Sequence, residues 1–173
     1  MNQSGVQKGG AMSKPGKSAG GSNGSIGAVT IESVADILER ELQPLITDWL
    51  YRVEQETDLT CIPMNCEERT GHLPHLLRDV IKRLRLHAGT KAPISEAAAN
   101  HGELRYQQGY TIAMLLEESR LLQVTIFTAL HKNVRHLELS TLLPWVVTIA
   151  DEVDAQLKQQ MLRFMAEDVE DNS

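Results

Sequence analysis

The sequence predicts an all-α protein: an antiparallel bundle of five or six helices, or a globin-like arrangement of them, behind a disordered Gly/Ser-rich N-terminus. Apolar residues recur at three- and four-residue spacing almost throughout the chain after residue 28. Alternating period-two runs are absent. Only four of the 12 glycines (Gly71, Gly89, Gly102 and Gly109) lie beyond Ala28. The other eight share residues 1–28 with five serines and three lysines, with no acid and no aromatic residue. That lead has too little apolar surface to offset the entropy of ordering. The expected organisation is a lead at 1–28, one helical domain at 29–166 and a frayed acidic tail at 167–173.

Thr30 is a plausible N-cap for the first helix, with Ile31, Val34, Ile37 and Leu38 as its stripe. Pro44 removes a backbone donor and should kink or split that helix. The stripe resumes at Leu45, Ile46, Trp49, Leu50 and Val53. Pro63 and Asn65 punctuate a loop over 59–65. A second region spans 66–86, where Gly71 and Pro74 separate a short turn of helix from a longer one. Residues 87–93 hold Gly89 and Pro93 and read as a loop. Ser95 should cap a third helix, 96 to about 108, which Gly109 and Tyr110 end. A long helix follows to about residue 136. Ser140 is expected to cap the last one, to about Ala166, with Pro144 near its first turn. Its inward stripe reads Val146, Ile149, Val153, Leu157, Met161 and Phe164, and could serve the core or a two-chain seam.

Residues 29–173 hold 14 Lys+Arg against 23 Asp+Glu. This diffuse acidic balance argues against nucleic acid, which needs a cationic face. The longest apolar stretch, Leu142 to Ala150, is nine residues, too short to span a bilayer. With no apolar segment at the N-terminus for export, the two cysteines are expected to stay reduced in the cytoplasm.

Chemistry concentrates in Asn100 to Gln123, NHGELRYQQGYTIAMLLEESRLLQ. His101 and Arg105 lie four apart on one helical face, and Gly109 follows at the same interval. Packed antiparallel around Gly109, the two helices would bring Arg105 to Glu118 with a histidine beside them. Such a group fixes a helix–helix angle, and it also suits a small polar ligand. No nucleophile–base pairing is visible, so no catalysis is expected.

The run His101-Gly102, Arg105, Gly109-Tyr110, Ile112, Leu115-Leu116, Glu118, Arg120-Leu121-Leu122 resembles the N-terminal sensory domain of RsbT co-antagonist proteins of the RsbRD type. Similar domains precede bacterial histidine kinases and other regulators. LITDWLYR at 45–52, with Trp49, and HLPHLLRDVIKRL at 72–84 fit the same pattern. The resemblance covers roughly Leu42 to Leu137. Ser119 stands where an aromatic is usual, and Gln123 where a basic residue is frequent. The resemblance implies a non-enzymatic sensor or adaptor in signal transduction and stress response. It would work as a homodimer or with a kinase, anti-sigma or STAS-type partner. Family members normally carry a further module, so this chain is expected to act free-standing or in trans. The residues implied for a signal site or its polar network are His101, Arg105, Tyr110, Glu118 and Arg120, with Trp49, Gly109 and Leu122 as packing positions.

Other constellations point elsewhere. HGELR is superficially like a phosphoacceptor box, so a histidine phosphotransfer protein using His101 is the alternative, and a plain oligomerisation module a third reading. A phosphoacceptor must face solvent. Cys61, Cys66, His72 and His75 follow C-x4-C-x5-H-x2-H. That departs from the usual zinc knuckle and reads as free thiols and ordinary histidines. His131 could serve a haem only from an apolar pocket, and two phenylalanines do not furnish one. Arg78, Lys82, Arg83 and Arg85 read as a solvated helix face. No metal or cofactor is expected.

Overall fold

The computed structural model describes residues 30–86 and 90–171. The lead at 1–28, part of the 87–93 loop and the last two residues lie outside the described residues. Every regular element described is helical: α1 Val34–Arg40, α2 Leu42–Val53, α3 Thr57–Thr60, α4 Cys66–Thr70, α5 Leu73–Leu84, α6 Glu96–Gln107, α7 Ile112–Lys132 and α8 Leu139–Asp171, with a 3-10 turn at Val134–His136. Six are of substantial length, and α3 and α4 are single turns. α8 is the spine, packing along α6, α7 and α5, while α2 lies on α7 and α1 on α5 and α7.

The boundaries follow local chemistry. Thr30 is not the first cap. The Glu32 N–H is taken by the His136 carbonyl at 2.8 Å, and Ser33 caps α1 by accepting from the Asp36 N–H at 3.1 Å. The break before Pro44 falls at Glu41, leaving the proline in the first turn of α2, where its missing donor costs nothing. Asn65 and Glu68 form a capping box on α4, and Ser95 caps α6. Ser140 does not cap α8, which already begins at Leu139; Pro144 therefore lies in its second turn. The helix also continues through residues 167–171, where the sequence suggested fraying.

Trp49, Ile37, Leu38, Leu45, Leu77, Val80, Leu115, Ile126 and Ile149 are buried in one apolar core. The inward face of α8 differs from expectation. Ile149, Val153 and Phe164 are buried, but so are Glu152, Gln156 and Gln160, a polar stripe at four-residue spacing. Val146, Leu157 and Met161 are only half-buried.

Gly102 explains how α8 comes so close to α6. A Cβ built there would overlap the Gln160 carbonyl oxygen and lie 2.7 and 2.8 Å from the Gln160 carbonyl carbon and Cα. Only a residue without a side chain lets the two backbones meet, and the obstacle is main chain that cannot swing aside. Gly102→Ala is therefore expected to destabilise the protein by about 3 kcal/mol, the upper end of overpacking costs. Urea denaturation of the two proteins checks this, and a loss under about 1 kcal/mol would contradict the close approach.

Candidate functional site

A turn of fixed geometry places the polar residues of α6 against those of α7. The Gly109 N–H donates to the Tyr106 carbonyl at 2.9 Å and the Tyr110 N–H to the Arg105 carbonyl at 3.0 Å, the two bonds of a Schellman motif. Gly109 has φ +80°, the left-handed conformation this motif requires. Thr111 then caps α7, its hydroxyl accepting from the Met114 N–H at 3.3 Å. The reversal returns Tyr110 to the Arg105 guanidinium, 4.7 Å from the ring centroid. Glu118, two turns into α7, faces His101 and Arg105.

The Glu118 carboxylate is buried and receives four donors. Arg105 reaches it twice, Nη2 to Oε1 at 3.0 Å and Nε to Oε2 at 3.1 Å. The Tyr110 hydroxyl donates to Oε1 at 2.7 Å, and His101 Nε2 lies 3.2 Å from Oε2. Arg105 is fully buried. Its remaining donors go to the Arg69 and Glu68 carbonyls at 3.0 and 3.3 Å and to Gln108 Oε1 at 2.6 Å, so all five N–H groups have acceptors. Arg69, also buried, bonds the Tyr110 oxygen and the Leu59 and Ile62 carbonyls. The Trp49 indole N–H donates to the Glu118 backbone carbonyl at 3.2 Å, tying α2 to the same residue.

Protonation follows from these contacts. Burial pushes the Glu118 carboxyl up, but the His101 hydrogen bond and the Arg105 charge outweigh it and leave it below the usual carboxylate range. Burial pushes the His101 imidazole down, against the pull of Glu118. Burial raises the Tyr110 hydroxyl, and the adjacent Glu118 charge raises it further. The site thus holds an ionised Glu118 beside a neutral histidine. A carboxylate can only accept, so His101 carries its proton on Nε2 and leaves Nδ1 a bare lone pair.

His72 completes the site. It stacks on His101 with ring centroids 3.6 Å apart and planes 16° apart, and meets the Trp49 edge at 5.7 Å. Burial holds it well below the ordinary imidazole range, with His101 and Arg105 adding to the effect. The Nδ1 atoms of both histidines and the Gln156 Oε1 are buried without a hydrogen-bond partner. Each such atom costs about 1–3 kcal/mol. His72, His101, Glu118 and Gln156 line one cavity of about 10 Å³, room for a single water-sized group. His72 and His101, together with His75 and Asn100, also line an open groove of about 480 Å³.

The structure thus brings His101, Arg105, Tyr110 and Glu118 together, with Trp49 and Gly109 positioning them. Arg120 is not among them. It is exposed and bonds Glu117 on its own helix, Nε to Oε2 at 2.9 Å. Leu122 is buried and lines the cavity. Sequence reasoning missed Arg69 and Gln156, and treated His72 as an ordinary histidine. Cys61, Cys66 and His75 are exposed and do not gather with His72. Among the described residues, the grouping with ligand atoms within 4.8 Å of one another is His72, His101 and Glu118. His101 is only 3% exposed, which removes the access a phosphoacceptor needs. His131 faces solvent rather than an apolar pocket. Arg83 corrects the solvated-face reading of 78–85: it is buried and pairs with Asp151 at 3.3 Å and Glu152 at 3.7 Å, whereas Arg78, Lys82 and Arg85 are exposed. No family model, curated protein or solved structure matches the chain.

Removing either partner of the central pair leaves a buried charge unpaired. Arg105→Ala and Glu118→Ala are each expected to cost about 3–5 kcal/mol. The double variant is expected to cost less than their sum by at least about 1 kcal/mol. Thermal melts of the four proteins complete this cycle, and additive losses would exclude direct coupling.

Proposed function

We propose that this chain is a non-enzymatic regulatory domain of bacterial signal transduction, which responds at the Glu118 site and relays the response through α8. The observation that carries this reading is the position of α8. It covers the cavity with Gln156 and Gln160 on one face and presents exposed apolar side chains on the other. Leu139, Leu143 and Val147 stand at four-residue spacing on its N-terminal half, and Leu162, Met165 and Val169 near its end. Asp151, Asp154 and Lys158 interrupt them. An occupant that changes how Gln156 and Gln160 sit moves the same rigid helix that a second subunit or a signalling partner would grip.

The resemblance of residues 101–122 to RsbRD-type sensory domains supports the same reading, because four of its polar positions, His101, Arg105, Tyr110 and Glu118, meet in the site, while Arg120 stays outside it. The partner expected from that resemblance is a second copy of the chain or a kinase, anti-sigma or STAS-type protein. Among the described residues no helix is long and apolar enough to cross a membrane, which fits a domain working away from the bilayer.

Sedimentation velocity tests the relay. The wild type is expected to dimerise, and Leu143→Glu to be monomeric with its melting temperature kept. His101→Gln is expected to shift the dimer dissociation constant at least about tenfold, or about 1.4 kcal/mol. A dimer indifferent to His101→Gln would instead mark a plain oligomerisation module.

A further inference from the structure

We propose that the cavity beside Glu118 binds one divalent transition-metal ion of the zinc, nickel and copper group, held by the imidazoles of His72 and His101 and the side-chain oxygen of Gln156. This deepens the reading above by giving the signal a chemical class.

The donors are already prepared. Glu118 accepts the Nε2 proton of His101, which leaves Nδ1 unprotonated and without a partner. A ligating histidine that gives its other ring N–H to a carboxylate is the usual support of a metal site. His72 Nδ1 is likewise buried and unpartnered. Gln156 spends its amide protons on the Leu76 carbonyl and Glu152 Oε1, both at 3.1 Å, and so keeps its oxygen free. All three residues line the same cavity, whose volume of about 10 Å³ suits a single ion. Neutral imidazole nitrogens select this metal group over magnesium and calcium, which prefer carboxylate and carbonyl oxygen.

Arg105 is the charge that opposes a cation here. Its guanidinium is bonded to Glu118, whose carboxylate stands between it and His101. The open groove lined by His72, His75, Asn100 and His101 supplies the entry path. With the rings stacked, the in-plane lone pairs of the two histidines lie in nearly parallel planes, so a shared ion requires His72 to turn its ring. His72 is the N-cap residue of α5 and follows Gly71. Gln156 sits on α8. Occupancy therefore bears on both the start of α5 and the middle of α8.

The test is a calorimetric titration of zinc into the chelator-stripped full chain. It uses a Cys61→Ser/Cys66→Ser background so that the exposed thiols cannot bind the ion. One site per chain is expected. His72→Phe keeps a ring stacked on His101 and removes the nitrogen, and should weaken binding more than about a hundredfold, beyond the 10–100-fold typical of losing an outer-shell partner. Absence of binding in the serine background, or binding untouched by His72→Phe, would overturn the proposal. Cobalt provides a reading that needs no folded variant. The wild type should give a spectrum of nitrogen and oxygen ligation, and a dominant thiolate charge-transfer band would place the ion on the cysteines and refute the site. An ion that binds as expected but leaves the dimer dissociation constant unchanged would uphold the site and remove the relay.

Discussion

A single buried negative charge governs the architecture. The Glu118 carboxylate is cut off from water, and such a group is tolerated only when donors replace its hydration. Here the donors come from one helix and the turn that follows it: Arg105 and His101 on α6, Tyr110 from the reversal. Their spacing sets the register of α6 on α7. The Schellman turn at Gly109 makes the spacing achievable, because it carries Tyr110 back over Arg105 rather than onward. The Trp49 indole bond to the Glu118 carbonyl extends the constraint to α2.

A second consequence concerns α8. A helix that packs on a polar network needs polar groups of its own on the contact face, and Glu152, Gln156 and Gln160 supply them. Gly102 then lets the α8 backbone approach where Gln160 lies. Further along the same contact, Arg83 of α5 turns inward toward Asp151 and Glu152. Burial raises the Glu152 carboxyl against the pull of Gln156 and Arg83. The α8 interface is thus unusually rich in groups that must each find a partner, and this is where the unpartnered atoms collect.

The helical pattern was legible because it rests on local physics. The 3.6-residue apolar period, the cap at Ser95, the loop signal at Pro63 and Asn65, and the break around Gly109 all act within a few residues. The meeting of Arg105 with Glu118 was also legible, since one turn after an i, i+4 pair brings the next helix back alongside. What the sequence concealed depends on distant packing. Gln156 and Gln160 look like solvent residues until Gly102 draws α8 inward. Arg83 sits in a run of cations, and only the acids of α8 distinguish it from Lys82. His72 belonged to a tempting cysteine–histidine spacing, while its true neighbour, His101, is 29 positions away. The exposed Arg120 shows the opposite error: it lies beside Glu118 in sequence but on the other face of α7.

Glu118 is ionised and holds His101 as the neutral Nε2–H tautomer with a bare, buried Nδ1. Nitrogen-15 NMR of the histidine side chains at neutral pH tests it most directly, because the ring nitrogens of the two tautomers and of the imidazolium have distinct shifts. A protonated Nε2 and an unprotonated Nδ1 are expected for His101, with a slowly exchanging Nε2 proton. An imidazolium, or a proton on Nδ1, would mean that the carboxylate does not organise the site as described.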